Sequence, residues 1–231
     1  MLNEHPSRVK YDNEKMYRWK SWDGNTSFAP SWDISFYLDQ LGDDITNDLR
    51  ELISAQDICR DPDRLKWMKY NIFSWDANII GVLSDRIYQL YSEYVNELDQ
   101  TPLSKDKIWI RGWGLVLEEG HYLKHHSHAF HENTFLSGNI SLSDLPTTTD
   151  YYFPYISWYF GYYKILNTPG STTIFPSWLE HKVDANTTGQ LRYTVGFDMF
   201  TEHSINYISE NRNESSELQN TILLSKRMDM I

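Results

Sequence analysis

A two-residue rhythm in the second half of the chain most constrains its fold. In "FLSGNISLS", Leu136, Ile140 and Leu142 fall on one face and Ser137, Asn139 and Ser141 on the other. "LRYTVGFDMF" repeats the pattern, with Arg192 and Thr194 opposite Tyr193, Val195 and Phe197. "IWIRGWGLVLEEG", from residue 108, alternates too, and "STTIFP" reads as a short strand. Strands with one apolar and one polar face require a sheet that buries the apolar side against another layer.

The first half follows a different period. "GDDITNDLRELISAQ" opens with Asp caps and places Ile45, Leu49, Leu52 and Ile53 at helical spacing. "DANIIGVLSDRIYQLYSEYVNELDQ" is the stronger helix, with Asp76 as N-cap and a stripe of Ile79, Leu83, Ile87, Leu90 and Tyr94. These stripes face a core. Residues 1–30 read as an irregular lead-in. From about Glu202 the chain is polar and weakly patterned, a tail or loose helix. Helices followed by many short strands predict a β-sandwich or barrel with a helical buttress. The expected organisation is one domain over 1–231, with a helical part at 30–100, a β core at 108–200 and a C-terminal tail at 202–231.

Composition narrows the function. The 231 residues carry a net charge of −11, and an acidic surface without a basic patch argues against nucleic acid as a partner. Aromatic residues make up 15% of the chain, which suits a packed globular protein rather than a disordered one. Cys59 is the single cysteine, so no internal disulfide and no cysteine metal site forms. That usage suits a reducing, cytoplasmic compartment. No apolar signal core and no run of about 18 apolar residues predicts a membrane partner. Asn25, Asn186 and Asn213 begin N-x-S/T triplets, which arise by chance and do not argue for secretion.

Chemistry gathers in "GHYLKHHSHAFHENTFLSG", where five of the eight histidines lie between His121 and His131. Neutral imidazole is a common metal ligand near neutral pH. The His-x-His step of His126 and His128 puts two imidazoles on one face of a strand. The alternative is a polar, titrating surface loop.

A distal histidine, His181, stands in "GSTTIFPSWLEHKVDANTTGQLRYTVGF". Together these motifs resemble the double-stranded β-helix oxygenases that use Fe(II) and 2-oxoglutarate, in particular the prolyl-hydroxylase-like branch. The resemblance covers residues 108–200. Gly120 precedes His126-Ser127-His128, a crossing strand follows, "GSTTIFPSWLEH" supplies His181, and "LRYTVGF" supplies Arg192 and Thr194. It implies a mainly β jelly roll with N-terminal buttressing α-helices. It also implies a metal and catalytic set of His126, His128 and His181, with Arg192, Thr194 and Asn139 as the 2-oxoglutarate-binding set. Arg offers a planar fork matched to a carboxylate. The implied reaction consumes O2 and 2-oxoglutarate and hydroxylates an unactivated C–H bond of a small molecule or peptide.

One position departs from the family's pattern. Asp or Glu is expected two residues after the first histidine, and here that residue is His128. A three-imidazole site is one negative charge poorer. An aspartate at 128 would restore the family's carboxylate. His131, Glu132, chloride or water are the alternatives to His128 as third ligand. His121 and His125 read as surface or supporting groups, and Trp109, Trp113 and Trp178 as core packing or a substrate frame. "DYYFPYISWYFGYYK" reads as a lid or hairpin over the site. A different function class also fits three histidines, namely a cupin-like metal-binding or sensing module without 2-oxoglutarate. Arg192 discriminates, because such a module needs no buried cation there.

Overall fold

A computed structural model gives the structure of the chain. It describes residues 8–10, 15–20, 28, 33–60, 69–128, 135–152, 162–211, 218 and 220–226. The fold is mainly β, built from two antiparallel sheets with helices against one of them. The strands are β1 (Arg8–Lys10), β2 (Met16–Lys20), β3 (Asp33–Gln40), β4 (Ile108–Leu117), β5 (Leu123–His126), β6 (Leu136–Ser141), β7 (Thr148–Tyr152), β8 (Tyr162–Leu166), β9 (Ser171–Pro176), β10 (His181–Val183), β11 (Arg192–Thr201) and β12 (Ile222–Leu223). The major sheet runs β1-β2-β3-β9-β6-β11-β4-β12 and the minor sheet β5-β10-β7-β8. This is the jelly roll expected from the resemblance. The helices are α1 (Asp43–Ser54), α2 (Asn78–Glu97) and α3 (Glu202–Asn211).

Strand alternation divides the major sheet's side chains between two environments. Leu136 and Ile140 of β6, with Tyr193, Val195, Phe197 and Met199 of β11, turn to the helical layer. There they meet Leu49 and Ile53 of α1, and Leu83, Ile87 and Leu90 of α2, which makes the predicted stripes core-facing. Gly112 and Gly114 of β4 let that layer sit close. A Cβ on Gly114 would stand 2.3 Å from Ile53 Cδ1, and one on Gly112 2.4 Å from Phe73 Cε2. The alternate residues, Ser137, Asn139 and Ser141 of β6 and Arg192, Thr194 and Asp198 of β11, turn the other way. A second, smaller core of Ile34, Phe36, Tyr151, Phe175 and Leu179 fills part of the space between the sheets.

Several sequence expectations change. The lead-in is not wholly irregular, because β1 and β2 form a hairpin that continues onto β3. The segment 30–100, read as helical, also contributes β3 to the major sheet, where it pairs with β9. "MYRWK" is a short strand near the sheet edge, and so few alternations hardly register in sequence. Neither helix uses an aspartate cap. Gly42 and Ala77 are the N-caps, without side-chain hydrogen bonds, and Asp43 and Asp44 lie inside the first turn of α1, where their charge suits the helix dipole. The polar C-terminal stretch forms α3, and β12 pairs with β4 at the edge of the major sheet.

Candidate active site

The opposed minor strands bring distant histidines together. His126 ends β5 and His181 begins β10, and the two are direct cross-strand partners with ring centroids 4.4 Å apart. His128 lies just past the end of β5, where its backbone N–H donates to the Ser177 carbonyl at 2.8 Å. Its ring centroid is 5.3 Å from that of His126 and 5.0 Å from that of His181. One ligand atom from each of the three lies within 4.8 Å of the others.

Hydrogen bonding orients all three imidazoles alike. His126 Nδ1 meets the Lys124 carbonyl at 2.6 Å, His181 Nδ1 the Leu179 carbonyl at 3.0 Å, and His128 Nδ1 the Asp198 carboxylate at 2.7 Å. Carbonyl and carboxylate oxygens only accept, so each Nδ1 carries the hydrogen, and in the neutral ring Nε2 then keeps the lone pair. Burial lowers the pKa of His126, and the neighbouring His128 adds to the effect. Burial drives that of His181 well down, reinforced by both other imidazoles. With each Nδ1 tied in this way, the three Nε2 atoms are pre-oriented to meet a divalent transition metal, whose bonds to imidazole are about 2.0–2.1 Å.

Behind His128 stands a residue that the sequence reading missed. Asp198 is 3% exposed and every lone-pair direction is used. Its Oδ1 accepts from His128 Nδ1 and from the Ser137 hydroxyl, both at 2.7 Å. Its Oδ2 accepts from Arg111 Nε at 3.0 Å and Nη2 at 2.9 Å. Burial alone would raise the carboxyl's pKa, but His128 and Arg111 outweigh it and hold it well below the usual range. Ser177 lies against the same group, its hydroxyl 2.9 Å from that of Ser137. The available signal was parity. Asp198 interrupts an apolar strand, six residues after Arg192 and on its face, and Arg111 interrupts "IWIRGW" directly opposite.

Farther along the same face of β11 lies Arg192. It is 2% exposed, and its Nε and Nη1 meet no hydrogen-bond acceptor among the described residues. Burial pulls its pKa down to about 10, with Asp184 opposing weakly, so it remains a cation at neutral pH. A buried guanidinium with idle donors has the chemistry to receive an anion. Thr194 and Gly196 separate it from Asp198 along the strand. The Thr194 hydroxyl donates to the Ile140 carbonyl at 2.8 Å, which leaves it only lone pairs to offer a ligand. Asn139 lies across from Gly196 and donates through Nδ2 to the Tyr151 hydroxyl at 3.1 Å. Tyr151 is fully buried, and its ring lies 5.6 Å from that of His181.

The polar row of β6 therefore faces the interior rather than solvent. Trp113 tilts against His128 with ring centroids 5.7 Å apart, whereas Trp178 is exposed and Trp109 pairs in register with Phe200 at the far end of β11. His125 is a surface group paired with Glu180 at 3.2 Å, and His121 is exposed. His131 and Glu132 lie outside the described residues, as does 153–161 of the aromatic insert. The ends of that insert, β7 and β8, pair as a hairpin stem, with Tyr152 opposite Tyr162.

Fold and site together define a double-stranded β-helix with a cluster of three histidines placed so that it could hold a metal ion, and a separate buried cation. No family model and no curated protein matches the sequence. Solved structures do match the fold. A prolyl-4-hydroxylase from Pseudomonas putida aligns with a TM-score of 0.53 at 13% identity, over 72% of this chain and 85% of that one. AviO1 from Streptomyces viridochromogenes gives 0.54 at 14% identity, over 73% and 90%. SnoN, a non-heme alpha ketoglutarate dependent epimerase from nogalamycin biosynthesis, gives 0.54 at 12% identity, over 72% and 77%. At such identities the likeness establishes the fold. Among the described residues, no helix is long and apolar enough to cross a membrane.

Proposed function

We propose that this chain is an Fe(II)- and 2-oxoglutarate-dependent oxygenase that hydroxylates an unactivated C–H bond of a small molecule or peptide. The observation that carries the reading is Arg192, a buried guanidinium with two idle donor atoms on the face of β11 that also carries Asp198, the partner of His128. A dicarboxylate held by metal at one end and by a guanidinium at the other uses both features at once. Two of the aligned structures support it by name, one a prolyl-4-hydroxylase and the other an alpha ketoglutarate dependent enzyme.

In this reading His126, His128 and His181 would hold the iron, three protein ligands being compatible with a metal that must also bind cosubstrate and O2. Bound iron with 2-oxoglutarate and O2 supplies an oxidant able to take a hydrogen atom from carbon. The chain's own residues bind and orient. Arg192 fixes the distal carboxylate, and Asn139, held against Tyr151, lines the path between cation and metal. Phe175 and Trp113 beside the histidines keep water out.

The imidazole at position 128 favours one other reading, a three-histidine metal module without 2-oxoglutarate. Calorimetric titration of 2-oxoglutarate into manganese-loaded protein separates the two. Arg192→Ala should weaken 2-oxoglutarate by roughly thirty-fold or more, since a stranded charge-assisted pair costs about 2–5 kcal/mol. Its affinity for the metal alone should stay as in the wild type. Unchanged 2-oxoglutarate affinity in a folded Arg192→Ala protein would leave the metal module as the better account.

A further inference from the structure

We infer that Asp198 supplies, through the His128 imidazole, the negative charge that the histidine at position 128 withholds from the metal. The inference rests on the proposed three-histidine metal site and names a positioning residue within it. All three imidazoles are tied at Nδ1, but the ties differ. His126 and His181 meet neutral backbone carbonyls, and His128 alone meets a carboxylate. The one charged tie thus falls at the one position where a carboxylate ligand was expected.

A carboxylate behind a ligating imidazole fixes its tautomer and ring plane and makes its lone pair a stronger donor. Asp198 is built for that task. Its Oδ1 accepts from His128 and Ser137, while Arg111 Nε and Nη2 both grip Oδ2 and so anchor the carboxylate from its other oxygen. At 3% exposure, its charge is not screened by water.

The arrangement also explains why a carboxylate does not stand at 128. An aspartate there would bring a second anion against Asp198 Oδ1, which now lies 2.7 Å from the histidine ring nitrogen. Like charges at that range disfavour one another. The site accommodates an anion at 128 or at 198, not both. On this inference His128→Asp binds metal more weakly than the wild type, whereas the family's pattern implies that it retains metal.

The full chain is titrated with Mn(II) without 2-oxoglutarate, with free metal followed by EPR, and Co(II) absorption reports the ligand field. Asp198→Asn should weaken Mn(II) by about ten- to a hundred-fold and shift the Co(II) bands. Because that variant strands the Arg111 cation, Arg111→Met is combined with it, removing both charges of the pair. The double variant should bind as much more weakly than Arg111→Met as Asp198→Asn binds than the wild type. In the His128→Asp background the sign should reverse, with Asp198→Asn strengthening binding by relieving the clash of anions. Unchanged affinity in Asp198→Asn overturns the inference. So does equal weakening by Asp198→Asn in the wild-type and His128→Asp backgrounds, which marks a purely structural role. His181→Ala distinguishes the underlying reading. If it binds Mn(II) like the wild type, the three-histidine metal site itself is overturned.

Discussion

Arg192→Met should make the ligand-free protein more stable while destroying its grip on 2-oxoglutarate. The guanidinium is 2% exposed, and two of its nitrogens have no acceptor. Burial lowers its pKa from the ordinary arginine value by about two to three units, to about 10. At about 1.4 kcal/mol for each tenfold in the equilibrium, keeping the charge in place costs roughly 3 kcal/mol. The folded value lies below the ordinary one, so the cost is fully present at neutral pH and fades only above about 10. Methionine removes the charge but fills less space, so the expected gain is smaller, about 1–3 kcal/mol. For a chain of this size that raises Tm by roughly 2–10 °C. Saturating 2-oxoglutarate, at a hundred times its wild-type Kd with metal bound, should add about 2.7 kcal/mol to the wild type and no more than about 0.9 kcal/mol to the variant, whose affinity is roughly thirty-fold or more lower. Thermal melts with and without 2-oxoglutarate measure both effects. An Arg192→Met protein that melts below the wild type without 2-oxoglutarate would show that the cation is already satisfied in the fold, and the anion-receptor argument would fail.

His126→Ala and His181→Ala should each lose bound iron by elemental analysis while keeping the wild-type circular dichroism, and full iron content in both would misplace the site. Metal-free protein should lose stability as pH falls through the ordinary histidine value of 6.5. The reason is that the folded state refuses protons at His126 and His181 which the unfolded chain accepts. A Tm that stays flat from about pH 7.5 to about 5 would contradict those depressed values. Replacing 153–161 by a short turn should spare metal and 2-oxoglutarate binding, because the β7–β8 stem closes without it; unfolding of the shortened protein would show the insert to be core.

Sequence rhythm made the β core legible because side chains alternate wherever a strand separates two environments. Leu136 and Ile140 against Ser137 and Asn139 sorted correctly, and so did Arg192 and Thr194 against Tyr193 and Val195. The histidine cluster was legible as a motif, but its chemistry was not, because Asp198 lies seventy residues from His128 and meets it only through sheet pairing. Two polar residues inside apolar strands, Arg111 and Asp198, were the available clue, and register alone made them partners. The first strands were hidden because short edge segments carry too few alternations to stand out. The helix caps were misread because backbone geometry at Gly42 and Ala77, rather than side-chain capping, starts those helices.

If three imidazoles and one buried guanidinium together receive iron and 2-oxoglutarate, anaerobic absorption spectroscopy will show both ends of the cosubstrate held. Fe(II) and 2-oxoglutarate added together should produce a visible charge-transfer band that neither produces alone. The band should vanish in His181→Ala, and in Arg192→Ala it should need far more 2-oxoglutarate to appear. Iron that binds stoichiometrically to the wild type with no band at saturating 2-oxoglutarate would contradict the account.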